Sequence, residues 1–214
     1  MTNETKPTES SKAGEAAETS IAAPLPVHPW PGPLPSSEDG VFVIAVHTAG
    51  GTLRDSARQQ VRQALQDMLI QLLGMPPDGI AVRSTPGEAP CIVLRDGDTE
   101  RSVGCSFAHE DGLSLVAINL HGPVGVDLMP TAPVHDWPAV SSDYLGPAVT
   151  SALQALPRAT QPQSFAQAWA NREASLKCLG MPLSEWAGDA EPVCHTIPLQ
   201  LPAGWAGTLA RPAA

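Results

Sequence analysis

Apolar residues in the first half of the chain form one continuous run and one helical stripe. Residues 41–46 (VFVIAV) are apolar without interruption, which is typical of a buried strand. Residues 53–73 place apolar side chains at helical spacing and stop before Gly74 and Pro76, so they are predicted to form a helix. The stripe consists of Val61, Leu65, Met68, Leu69, Leu72 and Leu73. The opposite side carries a basic repeat, typical of a solvated helix face, at Arg54, Arg58 and Arg62.

Short strands separated by turn residues follow this helix. They are predicted at residues 80–82, 91–94, 103–107, 113–118 and 123–128. Glu110-Asp111-Gly112 indicates a hairpin between the third and fourth strands, because Asp and Gly tolerate positive φ angles.

The second half of the chain predicts two helices, at about residues 142–156 and 163–179, and a strand at 193–201. Pro198 has no N–H for a ladder hydrogen bond, so it predicts an edge position for that strand. The order of elements along the chain predicts an α+β fold with two similar α+β lobes.

Residues 1–39 are predicted to be a disordered, Pro-rich tail outside the fold. They are rich in Thr, Ser, Glu, Ala and Pro, and they include the run PLPVHPWPGPLP, which favours extended polyproline conformations. An alternative for this run is a ligand for an aromatic groove of a partner protein.

Composition narrows the possible functions of the chain. A net charge of −10 over 214 residues argues against a nucleic-acid-binding protein, which needs a basic face, and against a polybasic membrane anchor. No apolar run approaches the roughly 18 residues of a membrane span, and the first twenty residues lack the apolar core of a secretory signal. The four cysteines show neither metal-ligand spacing nor disulfide density. We therefore expect a cytoplasmic protein that binds neither nucleic acid nor membrane.

Two segments carry residues suited to chemistry. In the first, Pro-Val-Gly-Val-Asp-Leu at 123–128, a strand delivers the carboxylate of Asp127, for which capping a turn is the alternative role. In the second, a predicted helix places Trp169, Glu173 and Lys177 four residues apart on one face. An exposed ion pair is the alternative role for Glu173 and Lys177. Lys177 is, however, the only lysine outside the predicted tail.

Together the two segments resemble the signature motifs of the 4′-phosphopantetheinyl transferases, in their two-lobed, pseudo-dimeric class. That family carries G-[IV]-D at the end of a strand and, further along, W-x-x-K-E-[AS]-x-x-K on a helix. Here the matching residues are Gly125-Val126-Asp127 and Trp169-Ala170-Asn171-Arg172-Glu173-Ala174-Ser175-Leu176-Lys177. Upstream, Cys105-Ser106-Phe107-Ala108-His109 resembles the family's strand ending in S-x-S-H, and Glu88-Ala89-Pro90-Cys91-Ile92 is a fainter match to its G-K-P segment. The resemblance covers about residues 41–200.

The resemblance implies two similar α+β lobes in a pseudo-twofold arrangement with the active site between them. We expect an N-terminal lobe at residues 40–122 and a C-terminal lobe at 123–214. The implied reaction transfers 4′-phosphopantetheine from coenzyme A to a serine of an apo acyl or peptidyl carrier protein and releases 3′,5′-ADP. It depends on Mg²⁺, and the two lobes imply a monomer.

The resemblance also assigns roles to individual residues. Asp127 and Glu173 would be the Mg²⁺ ligands, with Glu173 or a water it orients as the base for the serine proton. Lys177 would hold a phosphate oxygen and act in catalysis. The remaining coenzyme A contacts would be His109 and Arg58, at the 3′-phosphate, and Arg172.

Four positions depart from the family pattern, one of them Ala108, which replaces the serine before His109. Met129 stands where many members have a third acid, Arg172 replaces the first lysine of the helical motif, and Ala89 replaces the lysine of a G-K-P segment. These departures motivate an alternative, a catalytically weak member that binds coenzyme A or a carrier protein without turnover. An unrelated α+β binding domain is the third possibility.

Overall fold

The structure is a computed structural model that describes residues 23–35, 40–52, 54–85, 88–188 and 194–213. Its strands are β1 (Leu25–Trp30), β2 (Val41–His47), β3 (Ile80–Arg83), β4 (Cys91–Asp96), β5 (Thr99–Glu110), β6 (Leu113–Asn119), β7 (Gly125–Pro130), β8 (Cys194–Gln200) and β9 (Trp205–Pro212). Its helices are α1 (Arg54–Leu73), α2 (Trp137–Leu145), α3 (Pro147–Gln154) and α4 (Gln161–Cys178). Within these ranges, none of the helices is long and apolar enough to cross a membrane.

The strands form one sheet in the order β3-β4-β5-β6-β2-β1-β8-β9-β7. Neighbouring strands are antiparallel from β3 to β2 and from β8 to β7, whereas β1 runs parallel to both β2 and β8. The sheet curls, because β7 at one end of this order contacts β5. At that contact, the buried hydroxyl of Ser106 accepts a hydrogen bond of 3.0 Å from the backbone N–H of Val126. The expected mixed α+β fold is confirmed.

Curling divides the molecule into four layers. On one side of β2, Phe42 and Ile44 pack with the apolar stripe of α1. On its other side, Val43 packs with Val126 of β7 and Leu209 of β9. This explains the uninterrupted apolar run of β2, since both faces of the strand are buried. Helix α4 then covers the outer face of β7 and β9.

The predicted strands, the first helix and the β5–β6 hairpin of the N-terminal half are all present, the first residue of that helix lying outside the described residues. The single helix predicted at 142–156 is wrong. The chain breaks at Gly146, which has a φ of 85°, and forms α2 and α3 on either side of it.

Two predictions about sheet edges are corrected by β1. Residues 25–30, assigned to the disordered tail, form a strand inside the sheet; residues 1–22 and 36–39 lie outside the described residues. As a result β8 lies between β1 and β9 and is not an edge strand. Pro198 is tolerated there because β1 pairs only with Leu199 and Gln200, so its missing N–H falls outside that short ladder.

We predict that β1 is required for stability. Deleting residues 1–31 removes the strand that joins β2 to β8 and exposes both edges, so the midpoint of thermal unfolding should fall by about 10 °C or more, with aggregation. Deleting residues 1–22 keeps β1 and is the matched control, expected to retain the wild-type midpoint. Thermal unfolding followed by circular dichroism measures the midpoints, and equal midpoints for the two truncations would contradict the prediction.

Candidate active site

A cleft of about 780 Å³ opens between α1, β5, β7 and α4. Of the residues singled out in the sequence, Arg58, His109, Asp127, Glu173 and Lys177 line it. The structure therefore gathers residues from four elements of the chain around one cavity.

Helix α4 supplies one wall of the cleft. Its side chains Trp169, Glu173 and Lys177 line the cavity, as their spacing of four residues predicted. Ala170 and Ala174 on another face of the helix are fully buried. Trp169 packs edge-on against Tyr144 of α2, with ring centroids 5.6 Å apart, which holds this wall against α2.

Lys177 links two carboxylates of the cleft, those of Asp127 and Glu173. Its Nζ donates a hydrogen bond of 2.7 Å to Oδ1 of Asp127 and lies 3.6 Å from Oε2 of Glu173. It also donates to the backbone carbonyl of Val126 at 3.3 Å. The Asp127 side chain is only 9% exposed, so its carboxylate takes part in a largely buried ion pair with Lys177. The ammonium of Lys177 thus stands between two acids that both require positive charge nearby.

Burial is the largest influence on the pKa of Asp127. Loss of solvent raises the pKa of this carboxyl to about 7, although the ion pair with Lys177 acts in the opposite direction. The charges of Glu173 and Glu110 raise the pKa further. Asp127 and Glu173 therefore compete for the positive charge of Lys177.

Gly125 allows β7 to lie directly against α4. A Cβ atom at this position would overlap the carbonyl oxygen of Ala174 and lie 2.6 Å from the backbone nitrogen of Cys178. Since the backbones of strand and helix meet here, only glycine fits. The close approach brings the last turns of α4 alongside Asp127, two residues further along β7.

The opposite wall of the cleft is basic. Arg58 and Arg62, one turn apart on α1, both line it, together with His109 at the end of β5. The Nδ1 of His109 lies 3.0 Å from the hydroxyl of Ser114, which orients the ring. Arg62 was assigned only to a solvated helix face, but its spacing from Arg58 already placed both on the same side of the helix.

The three residues that replace a lysine or an acid of the family pattern, Arg172, Ala89 and Met129, lie in different parts of the structure. Arg172 does not line the cleft: one Nη donates a 3.1 Å hydrogen bond to the carbonyl of Ser184 in the segment after α4. Ala89 lines a neighbouring cavity of about 450 Å³ that Lys177 also borders. Met129 lines the cleft and packs against the apolar cluster of α2, α3 and α4. Glu110, which sequence reasoning passed over as a turn residue, also lines the cleft.

Comparison with known proteins confirms the family resemblance over the C-terminal half. Residues 123–207 match the family model of the 4′-phosphopantetheinyl transferase superfamily, a segment that contains both motifs. The chain is also 27% identical over 124 residues to a Synechocystis sp. protein named a "putative 4′-phosphopantetheinyl transferase". That alignment covers 58% of this chain and 49% of the relative, so the match spans about half of the relative's length.

We predict that Gly125→Ala destabilises the protein. The added methyl group must push α4 away from β7, which should lower the free energy of unfolding by about 1–3 kcal/mol in urea titrations. Gly122→Ala is the matched control, because a Cβ there meets only Nδ2 of Asn119, at 4.0 Å. Equal stabilities of the two variants would show that the close approach carries no cost.

We also predict a specific pH dependence from Asp127. The folded state keeps the Asp127 proton up to about pH 7, whereas the unfolded chain releases it near the ordinary value of 3.8. Between these values the folded state binds more protons, so stability falls as pH rises, by up to about 1.4 kcal/mol per pH unit.

Urea unfolding between pH 4 and pH 8, in buffer with EDTA, measures this slope. Asp127→Asn stays neutral and should lose it, while Asp98→Asn, in the exposed β4–β5 turn, should keep it. An unchanged slope in Asp127→Asn would contradict the assignment.

Proposed function

We propose that this chain transfers 4′-phosphopantetheine from coenzyme A to a serine of an apo acyl or peptidyl carrier protein, releasing 3′,5′-ADP, with Mg²⁺ as cofactor. One observation carries the proposal: Asp127 and Glu173 share the ammonium of Lys177 in a cleft whose opposite wall carries Arg58. The strand and helix that hold these acids lie in the segment that matches the transferase superfamily.

The donor set fits Mg²⁺. In the described part of the chain, no group of three or more His, Cys, Asp or Glu side chains is arranged to hold a metal by itself. Mg²⁺ in phosphoryl-transfer sites takes only one or two protein carboxylates and completes its shell with phosphate oxygens and water. Asp127 and Glu173 would hold it in that way, while Met129 contributes no ligand. When bound, the ion neutralises the pyrophosphate of coenzyme A and the charge that develops on the leaving phosphate.

The basic wall suits the phosphates of coenzyme A. Arg58 and His109 are proposed to receive the 3′-phosphate, and Arg62 lies one helical turn from Arg58 on the same wall. Lys177 is proposed to pass from its two carboxylates to a phosphate oxygen as the substrate enters. Arg172 is held by Ser184 outside the cleft, so the earlier assignment of Arg172 to coenzyme A finds no support in this geometry.

Glu173 is the proposed base. In the transfer step, the serine oxygen of the carrier forms a bond to the β-phosphorus, and the bond from that phosphorus to the bridging oxygen breaks. The serine proton passes to Glu173 or to a water that it orients, and 3′,5′-ADP leaves with the bridging oxygen. The Glu173 side chain is 25% exposed, so it is accessible to a hydroxyl that enters from the mouth of the cleft.

The four-layer arrangement supports two lobes. We propose that residues 40–122, with α1, and residues 123–214, with α4, are the lobes of a pseudo-twofold, monomeric cytoplasmic enzyme, with β1 from the preceding segment joined to both. The cleft lies where α1 and β5 of the first meet β7 and α4 of the second.

A second candidate is a protein that binds coenzyme A or a carrier protein without turnover. Met129 favours it, because its side chain packs into an apolar cluster at a position where many members of the family have a third acid. Calorimetric binding of coenzyme A in the absence of any transfer would favour this candidate.

We predict that incubation with coenzyme A, Mg²⁺ and several apo carrier proteins adds the phosphopantetheine mass to a carrier, and that EDTA prevents it. Asp127→Ala and Glu173→Ala should each lower the rate by at least about 100-fold, since each removes a proposed ligand. Glu185→Ala, which removes an exposed acid outside the cleft, is the control and should retain activity.

Mass spectrometry of the carrier decides the outcome. Transfer to none of the carriers would refute the proposed function. Full activity of Asp127→Ala or Glu173→Ala would refute the proposed ligands.

A further inference from the structure

A chain of hydrogen bonds connects α4 to the strand beneath it. The Gln167 side-chain amide donates to the hydroxyl of Thr208 at 2.7 Å, and that hydroxyl donates to Oδ1 of Asn171 at 2.6 Å. Gln167 also donates to Oδ1 of Asn171 at 3.1 Å. Thr208 is completely buried on β9, so its hydroxyl has no bulk water as an alternative partner.

Part of the remaining contact between α4 and the sheet is made by small residues, while Lys177 adds hydrogen bonds to Val126 and Asp127 of β7 at the last turns of the helix. Ala170 and Ala174 are fully buried there, and Gly125 lets the strand backbone touch the helix. Small side chains allow a close approach but present few protrusions that would stop the helix from sliding or turning. Hydrogen bonds are directional, so the Gln167–Thr208–Asn171 chain helps to set the position of the helix along β9, as the Lys177 hydrogen bonds do along β7.

This chain of hydrogen bonds connects the elements that carry the two proposed Mg²⁺ ligands. Thr208 is the cross-strand partner of Asp127 in the β7–β9 ladder, so their side chains share the face covered by α4. Asn171 lies two residues before Glu173 on α4. One end of the connection is therefore tied to the strand pair that bears Asp127, and the other to the helical turn that bears Glu173.

We propose that Thr208, with Asn171 and Gln167, acts as a positioning group that sets the distance between the carboxylates of Asp127 and Glu173. The inference rests on the proposed function, because it assigns a purpose to the same site. None of the three residues lines the cleft, so they act on the reaction only through the placement of α4. Groups of this kind, behind metal ligands, typically contribute 10- to 100-fold in metal affinity or activity.

Thr208→Val tests the proposal, since valine keeps the shape of threonine and removes only the hydroxyl. Thr208→Ser retains the hydroxyl and serves as the rescue variant. Thr150→Val is the matched control: Thr150 is also buried and donates to Ser141 and Gly146, both at 2.9 Å, but it lies on α3 away from the cleft. Asn171→Ala breaks the same connection from the helix side and remains informative if Thr208→Val does not fold.

Two measurements are made on the full chain at a temperature well below the unfolding midpoint of every variant. One is the transfer rate, resolved into kcat and the KM for the carrier protein. The other is the affinity for Mn²⁺ in the presence of coenzyme A, read from electron paramagnetic resonance titrations. We expect Thr208→Val and Asn171→Ala to lower kcat about 10- to 100-fold and Mn²⁺ affinity about 10-fold, with KM unchanged. Thr208→Ser should keep kcat and Mn²⁺ affinity within about 3-fold of the wild-type values. Thr150→Val should have the wild-type kcat and Mn²⁺ affinity, although the midpoint of its thermal unfolding falls.

Each other result has a distinct meaning. Wild-type kcat and Mn²⁺ affinity in Thr208→Val, or equal losses in Thr150→Val, would overturn the positioning role. If the wild-type chain transfers nothing but binds Mn²⁺, the proposed function fails, and the Mn²⁺ affinities alone support or overturn the positioning role. If the wild-type chain neither transfers nor binds Mn²⁺, both inferences are overturned.

Discussion

The burial of one carboxylate governs the arrangement of the C-terminal half. Asp127 is carried on a strand that is covered on one face by apolar residues and on the other by α4, so its charge needs a partner that the strand cannot supply. Lys177 reaches it only because the last turns of α4 lie directly on β7. That approach in turn requires the absence of a side chain at Gly125 and small residues such as Ala174 on the helix. The close packing of α4 on β7 and the ion pair between Asp127 and Lys177 therefore depend on each other, and a change to one disturbs the other.

Local charge in the cleft differs from the charge of the whole molecule. The chain carries a net charge of −10, yet the cleft faces its acids Asp127 and Glu173 with two arginines from α1. An acidic protein that handles a highly anionic substrate requires such local separation, because its long-range field opposes the approach of that substrate. Salt that screens this field should act differently on the approach of coenzyme A and on its contacts within the cleft.

Sequence patterns predicted elements whose signal is local. The apolar run of β2, the stripe of α1 and the shared face of Glu173 and Lys177 all follow from the spacing of neighbouring residues. The strand at residues 25–30 could not be predicted in this way, because its prolines are typical of an extended linker and its pairing partners lie elsewhere in the chain. For the same reason Thr208 carried no signal: its partners on α4 are about 40 residues away, and β9 itself was not predicted. The raised pKa of Asp127 also depends on burial by distant elements, which composition and spacing do not show.

The position of β1 also bears on how the chain acquires its structure during synthesis. Leu25 pairs with Leu199, so during synthesis β1 completes this pairing only after β8 has been made. Until then β1 can pair with β2 alone, and its other edge remains open. Contacts of such long sequence separation form slowly, and open strand edges attract other chains. Recovery of this protein in folded form should therefore depend on translation rate and chaperone supply.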